Sequence, residues 1–123
     1  MASRHNAQEI FAHLEKQTVG VVATRDRLSD FIRLRVMYYG TDSKFNCYLM
    51  STKGSPKIGH IMEVSKVSFL VYGLEDPYDL SWEVEIDGEA GVLEKPEEIK
   101  YALEKLKGRN PFADVALEAG ITN

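Results

Sequence analysis

Four cations stand close together in the first half of this chain: Arg33 and Arg35 in "FIRLRVMYY", then Lys53 and Lys57 in "STKGSPKIGHI". Their natural chemistry is to grip an anion. Lys57 falls in the first turn of the helix that Ser55 and Pro56 announce. A helix N-terminus already carries partial positive charge, so a lysine there calls for an anionic companion. A strand that runs out at Ser51–Thr52, a short polar loop and a helix start together offer backbone N–H groups, hydroxyls and charge, which suits phosphate. The spacing is neither that of a P-loop nor that of a GxGxxG dinucleotide turn. Arg33 and Arg35 share one strand face, roughly 7 Å apart at about 3.4 Å rise per residue. If residues 45–52 form the hairpin partner of that strand, the arginines come near the lysine loop. Two plainer readings stand beside this one: a capped helix with solvated lysines, and a solvated strand face whose arginines pair with Glu83 or Glu85.

Other chemistry is sparse. Cys47 is the only cysteine, which excludes an intrachain disulfide or a multi-cysteine metal site, and its place among Phe45 and Leu49 reads as core. His13 and His60 lie on expected helices without a partner at metal-ligand spacing, and His5 lies at the chain start, so no metal site is expected. No Ser/His/Asp arrangement is visible, although such triads are spatial rather than sequential. No catalytic residue is nominated. Trp82 suits a core or interface anchor, with stacking on a flat ligand as the alternative. The acidic loop "GLEDPYDLS" (73–81) reads as a solvated turn.

The whole chain sets the limits. Its 123 residues suffice for one domain, 1–123, with a single core. A net charge of -4 argues against a bulk nucleic-acid binder. The N-terminal residues lack the apolar stretch of a signal peptide and no run is long enough to span a bilayer, so a cytoplasmic protein with no membrane partner is expected.

The elements that must hold the cations follow from periodicity. "NAQEIFAHLEKQ" (6–17) is a helix with Asn6 and Glu9 as capping box and Ile10, Phe11 and Leu14 as its apolar stripe. "TVGVVATR" (18–25) is a strand. In 31–39, Ile32, Leu34, Val36 and Tyr38 share one face and Phe31, Arg33, Arg35 and Met37 the other; the aliphatic side is expected on the core. After "GTDSK", residues 45–52 should pair with it. A helix over 55–64 buries Ile58, Ile61 and Met62. "KVSFLVYG" (66–73) and "SWEVEIDGEAGVLE" (81–94) supply further strands, with Trp82, Val84 and Ile86 inward and a bend at "DG". Helices over 96–107 and 111–119 close the chain, the first ended by Lys105, Lys107 and Gly108, the second capped by Asn110. The result is a mainly β protein with flanking helices, whose antiparallel strands over about 18–94 suffice to close a small barrel.

Taken together, "VGVVATR", "RLRVMYY", "YLMSTKGSPKIGHI", "KVSFLVY" and "WEVEIDGEAGVLE" resemble the FMN-binding split-barrel family of pyridoxamine 5'-phosphate oxidase, over roughly residues 8–94. The resemblance implies a six-stranded antiparallel Greek-key split barrel, normally a homodimer with FMN at the interface. It places the FMN phosphate against Arg35, Ser55 and Lys57, with Arg33 as a second charge. The ring and ribityl chain would run along Val36, Met37, Ser51 and Thr52. The chain lacks the longer C-terminal segment with which the full oxidase holds pyridoxal phosphate, so it looks more like the short general-stress-protein branch. The resemblance thus implies a flavin-dependent oxidoreductase with an unassigned small-molecule substrate. A flavin carrier or sensor without turnover, or a binder of heme or a deazaflavin, stands as the alternative.

Overall fold

The computed structural model of the protein describes residues 6–51 and 56–118. In chain order the elements are α1 (Ala7–Lys16), β1 (Val19–Arg25), β2 (Ile32–Tyr38), β3 (Gly40–Thr41), β4 (Cys47–Tyr48), α2 (Pro56–Glu63), β5 (Lys66–Gly73), β6 (Trp82–Glu89), α3 (Pro96–Leu106) and α4 (Pro111–Glu118). The helix starts follow their capping residues. The Glu9 N–H donates to Asn6 Oδ1 at 2.8 Å, and the Phe112 N–H donates to Asn110 Oδ1 at 2.9 Å. Pro96 opens α3 with Glu97 and Glu98 in its first turn, where acidic groups meet the positive end of the helix. Gly108, at φ 74°, takes the left-handed turn that leads out of α3 toward α4.

The main sheet is antiparallel, in the order β2-β1-β5-β6, and a separate two-stranded sheet pairs β3 with β4. Along one row of the main sheet Arg35, Val22, Phe69 and Ile86 lie side by side; along the next, Val36, Val21, Leu70 and Glu85 do. Residues paired in one row share a face. The inner face therefore carries Gly20, Val22 and Thr24 of β1 and packs Val22, Phe69 and Val71 with Leu14 of α1 and the buried Tyr39. Trp82, Val84 and Ile86 join this core as expected, and so does the half-buried Cys47. A second cluster joins α3 and α4 through Leu103, Leu106 and Ala113, resting on Tyr48 and Met50.

Four expectations are corrected. The aliphatic side of β2 is not on the core: Ile32, Leu34 and Val36 are 60%, 63% and 72% exposed. The reason is register. The inner residues of β1 are Val22 and Thr24, whose partners on β2 are Arg35 and Arg33, so the arginines turn inward and the aliphatics outward. Second, β2 pairs with β1, and among the described residues of 45–52 only Cys47 and Tyr48 pair, with Thr41 and Gly40. The chain bends at Tyr39, whose N–H is bound to the Thr18 carbonyl, and Gly40 then passes so close to the end of α3 that a Cβ there would collide with the Lys105 carbonyl. Third, the strands do not close into a six-stranded Greek-key barrel. The sheet ends at β6, which runs through Asp87 and Gly88 to Glu89 without the bend expected at "DG", and the residues after it up to α3 form no strand. Fourth, Met62 is 73% exposed rather than buried on α2. Among the described residues no helix is long and apolar enough to cross a membrane.

Candidate functional site

The inner face of β2 presents Arg33, Arg35 and Met37, all half-buried, beside Thr24, Val22 and Gly20 of β1. The helix α2 packs on β1 at this corner. His60 Nδ1 lies 3.4 Å from Thr24 Oγ1, and His60 Nε2 lies 3.9 Å from Asp26 Oδ2. That same carboxylate oxygen accepts from Arg33 NH2 at 3.4 Å. The Arg33 guanidinium also reaches Ser29 Oγ at 3.4 Å and stands 5.8 Å over the Phe31 ring. Arg33, Asp26, His60 and Thr24 thus form one polar corner between the β1–β2 hairpin and α2.

The hairpin itself builds the corner. Asp26 Oδ1 accepts from the N–H groups of Leu28 and Ser29, an Asx turn that leaves Oδ2 to face Arg33 and His60. The Ser29 hydroxyl first, then the backbone donors and Arg33, outweigh burial and hold the Asp26 carboxyl below its ordinary range. The order Asp26–His60–Thr24 is that of an acid–base–hydroxyl relay, but Thr24 is 1% exposed, so its hydroxyl has no access to a substrate. The arrangement is a positioning network.

Arg35 differs. Its NH1 donates to the Leu34 carbonyl at 2.9 Å, and among the described residues no carboxylate pairs with it. Glu83 and Glu85 lie on the opposite face of the sheet, so the salt-bridge reading of the arginines is overturned; Arg33 takes Asp26 instead. Lys57 is half-buried in the first turn of α2, three residues before His60 and hence on the same side of the helix. Met37 packs against the main core. Val36 stands on the outer face, away from the arginines, and Ser51 is exposed after β4. Thr52 and Ser55, with Lys53, lie outside the described residues. The structure therefore brings Arg33, Arg35 and Met37 to one surface, sets α2 beside it, and turns the Val36 side chain away.

Sequence reasoning missed Asp26 as the partner of Arg33 and His60 as the second group at that carboxylate. The Asp26–Ser29 spacing does signal an Asx turn, but nothing in the sequence shows which charge the second oxygen meets. It also missed Asp42 and Arg109, described below. Among the described residues, no three His, Cys, Asp or Glu side chains gather to hold a metal ion. A concavity of about 690 Å³ opens on the other side of the sheet, where β1 and β5 part beyond the Ala23–Ser68 pair. Ile32, Val64, Lys66 and Asp87 are among its walls; it shares Thr24 with the arginine corner but includes neither Arg33 nor Arg35.

The sequence profile of the pyridoxamine 5'-phosphate oxidase family matches residues 6–116. The chain belongs to this family. No curated protein matches it by sequence. Among solved structures, a conserved hypothetical protein from Mycobacterium tuberculosis aligns with a TM-score of 0.78 at 22% identity, over 100% of this chain and 80% of its own. A candidate pyridoxamine 5'-phosphate oxidase from Listeria innocua aligns at 0.68 and 26% identity, over 87% of this chain and 86% of its own. A heme binding protein from Mycobacterium smegmatis aligns at 0.74 and 16% identity, over 94% of this chain but only 47% of its own. The oxidase-like fold is thus shared with proteins of differing description, so this chain's ligand must be argued from its own side chains.

Proposed function

We propose that this member of the pyridoxamine 5'-phosphate oxidase family binds FMN as a homodimer and acts as a flavin-dependent oxidoreductase on a small molecule. The observation that carries the reading is the inverted strand β2: two half-buried guanidinium groups face inward while three aliphatic side chains face solvent. A soluble monomer has no use for that arrangement, because it desolvates charge and hydrates apolar surface at once. A bound dianion beside the arginines and a second copy of the chain over the aliphatics would account for both halves. Arg35, Arg33 and Lys57 would hold the phosphate, with Ser55 at the helix start, and Met37 offers an apolar wall for the ring. The backbone at Val36–Met37 and Ser51–Thr52 would serve the flavin's polar edge. FMN, when bound, supplies the redox chemistry; the chain's own part is to anchor, orient and shield it. Heme is the weaker reading, because both ring nitrogens of His60 already face Thr24 and Asp26.

The test is a spectrum and a titration. The purified protein is expected to show flavin absorption that reduced nicotinamide bleaches; bleaching by no donor would make it a flavin carrier, and a Soret band would make it a heme protein. Arg35→Ala should weaken FMN by about ten- to a hundredfold, the size of one charge-assisted contact of about 1.5–3 kcal/mol, and leave riboflavin, which lacks the phosphate, nearly unaffected. A colourless protein that takes up no added FMN overturns the proposal.

A further inference from the structure

One carboxylate oxygen faces a guanidinium and an imidazole in the corner: Asp26 Oδ2 lies 3.4 Å from Arg33 NH2 and 3.9 Å from His60 Nε2. Asp26 and His60 are shielded, their side chains 18% and 16% exposed, whereas Arg33 is 42% exposed and so open to an arriving anion. The oxygen is therefore poorly hydrated, and its bond to Arg33 is set against its attraction to the imidazole.

We propose that Asp26 and His60 form a proton-operated latch on Arg33. With His60 neutral, Asp26 keeps Arg33 for itself; with His60 protonated, the imidazolium takes the carboxylate and Arg33 is freed for an anion at the corner. This rests on the reading that the corner holds the FMN phosphate, and it names how that site is regulated.

The chemistry of the imidazole supports it. Histidine is the side chain that changes charge between about pH 5 and 8. A protonated ring must donate from both nitrogens, and both have an oxygen waiting: Asp26 Oδ2 at Nε2 and Thr24 Oγ1 at Nδ1. The Thr24 hydroxyl can donate to a bare Nδ1 or accept from a protonated one, so neither state leaves a buried group orphaned. Other charges bear on the ring. On α2 itself are Lys57 and Glu63, three residues to either side; on the hairpin, Asp26 and Arg27; on β2, Arg33 and Arg35; Arg25 of β1 turns to the opposite face of the sheet from Thr24 and is held by Asp30 at 2.5 Å. An anion arriving beside the corner attracts an imidazolium, so anion binding and proton uptake reinforce each other.

The experiment compares FMN affinity of the wild-type protein, His60→Gln and Asp26→Asn at about pH 8 and about pH 5.5. The phosphate's own protonation weakens binding in all three proteins alike, so the quantity read is the ratio of wild-type to variant affinity. Wild type should gain about tenfold on His60→Gln as the pH falls, about one charge-assisted contact. Asp26→Asn should bind FMN more tightly than wild type at the higher pH and gain no further ground at the lower. A second readout needs no flavin: the Arg33 Nε–H resonance should follow the titration of the His60 ring in wild type and cease to do so in Asp26→Asn. Normal FMN binding with a pH-independent ratio overturns the latch and leaves the flavin reading intact. Absence of FMN binding at either pH overturns the flavin reading, and an Arg33 resonance indifferent to His60 then removes the latch as well.

Discussion

Asp42 shows how much one side chain can organise. It is 7% exposed at the turn between β3 and β4, and its carboxylate accepts from the Lys44 and Asn46 N–H groups, the Asn46 side chain and the Tyr48 hydroxyl at 3.0 Å, with the Tyr101 hydroxyl at 3.4 Å. Burial works against its charge, yet the donors from Asn46, Tyr48 and Lys44 outweigh it and keep the carboxyl below its ordinary range. The cost falls on Tyr48, whose phenol is pushed up to about 12 by burial and by its bond to Asp42. Because the folded-state value is depressed, Asp42 contributes stability that is present above the unfolded value and is lost as the pH falls through the folded one. Asp42→Asn should therefore cost about 2 kcal/mol near neutrality, since an amide cannot accept from so many donors. Urea unfolding at neutral and acid pH should show that difference shrinking in acid. The residue was invisible in the sequence, where "GTDSK" read only as a turn; the donors that make Asp42 matter come from α3 as well as from its own loop.

Among the elements, α1 is tied to the rest of the fold by a residue far along the chain. Arg109, just beyond α3, donates to the Tyr39 carbonyl at 2.9 Å and to the carbonyls of Leu14, Glu15 and Gln17 at the end of α1. Its guanidinium lies 5.0 Å over the Tyr39 ring, and the Tyr39 hydroxyl donates to the Leu14 carbonyl. A cation among the unpaired carbonyls of a helix C-terminus complements the helix dipole and satisfies several orphan acceptors at once. Arg109→Ala should lower stability by about 3 kcal/mol, and Arg109→Lys should recover only part of it, because an ammonium cannot fork to several carbonyls. Chemical denaturation of the two variants checks the order. The helices themselves were legible, since Asn6, Pro56, Pro96 and Asn110 each mark a start that the structure keeps. Their anchoring was not, because it depends on contacts about ninety residues apart in sequence.

At the scale of the whole molecule, the outer face of the main sheet is the feature to explain. Ile32, Leu34, Val36 and Tyr38 of β2 stand exposed beside Val19 of β1, with Tyr72 also exposed on β5. Contiguous apolar surface of this kind marks an interaction site, and the proposed second copy of the chain is its natural cover. Val36→Asp should convert the dimer to a monomer without unfolding it, because the substituted side chain points to solvent in the monomer. Sedimentation velocity reads the first outcome and circular dichroism the second. FMN should be lost along with the dimer if the flavin lies between the protomers. A protein already monomeric before substitution would overturn the dimer proposal and leave the arginine corner to be judged by its own titration.

Alternation along residues 31–39 was enough to divide β2 into an aliphatic side and an arginine side, and capping residues were enough to place the helices. Which side of β2 turns inward was decided only when the strand found its partner: the register Val22 to Arg35 and Thr24 to Arg33 carries the arginines to the core face. A period of two defines a pair of faces and is silent about which will be covered, since that depends on long-range pairing and on surfaces outside the chain. The bend at Tyr39, the brief β3–β4 pairing and the meeting of Arg33 and His60 at Asp26 belong to the same class, because each joins segments whose neighbours local sequence cannot specify.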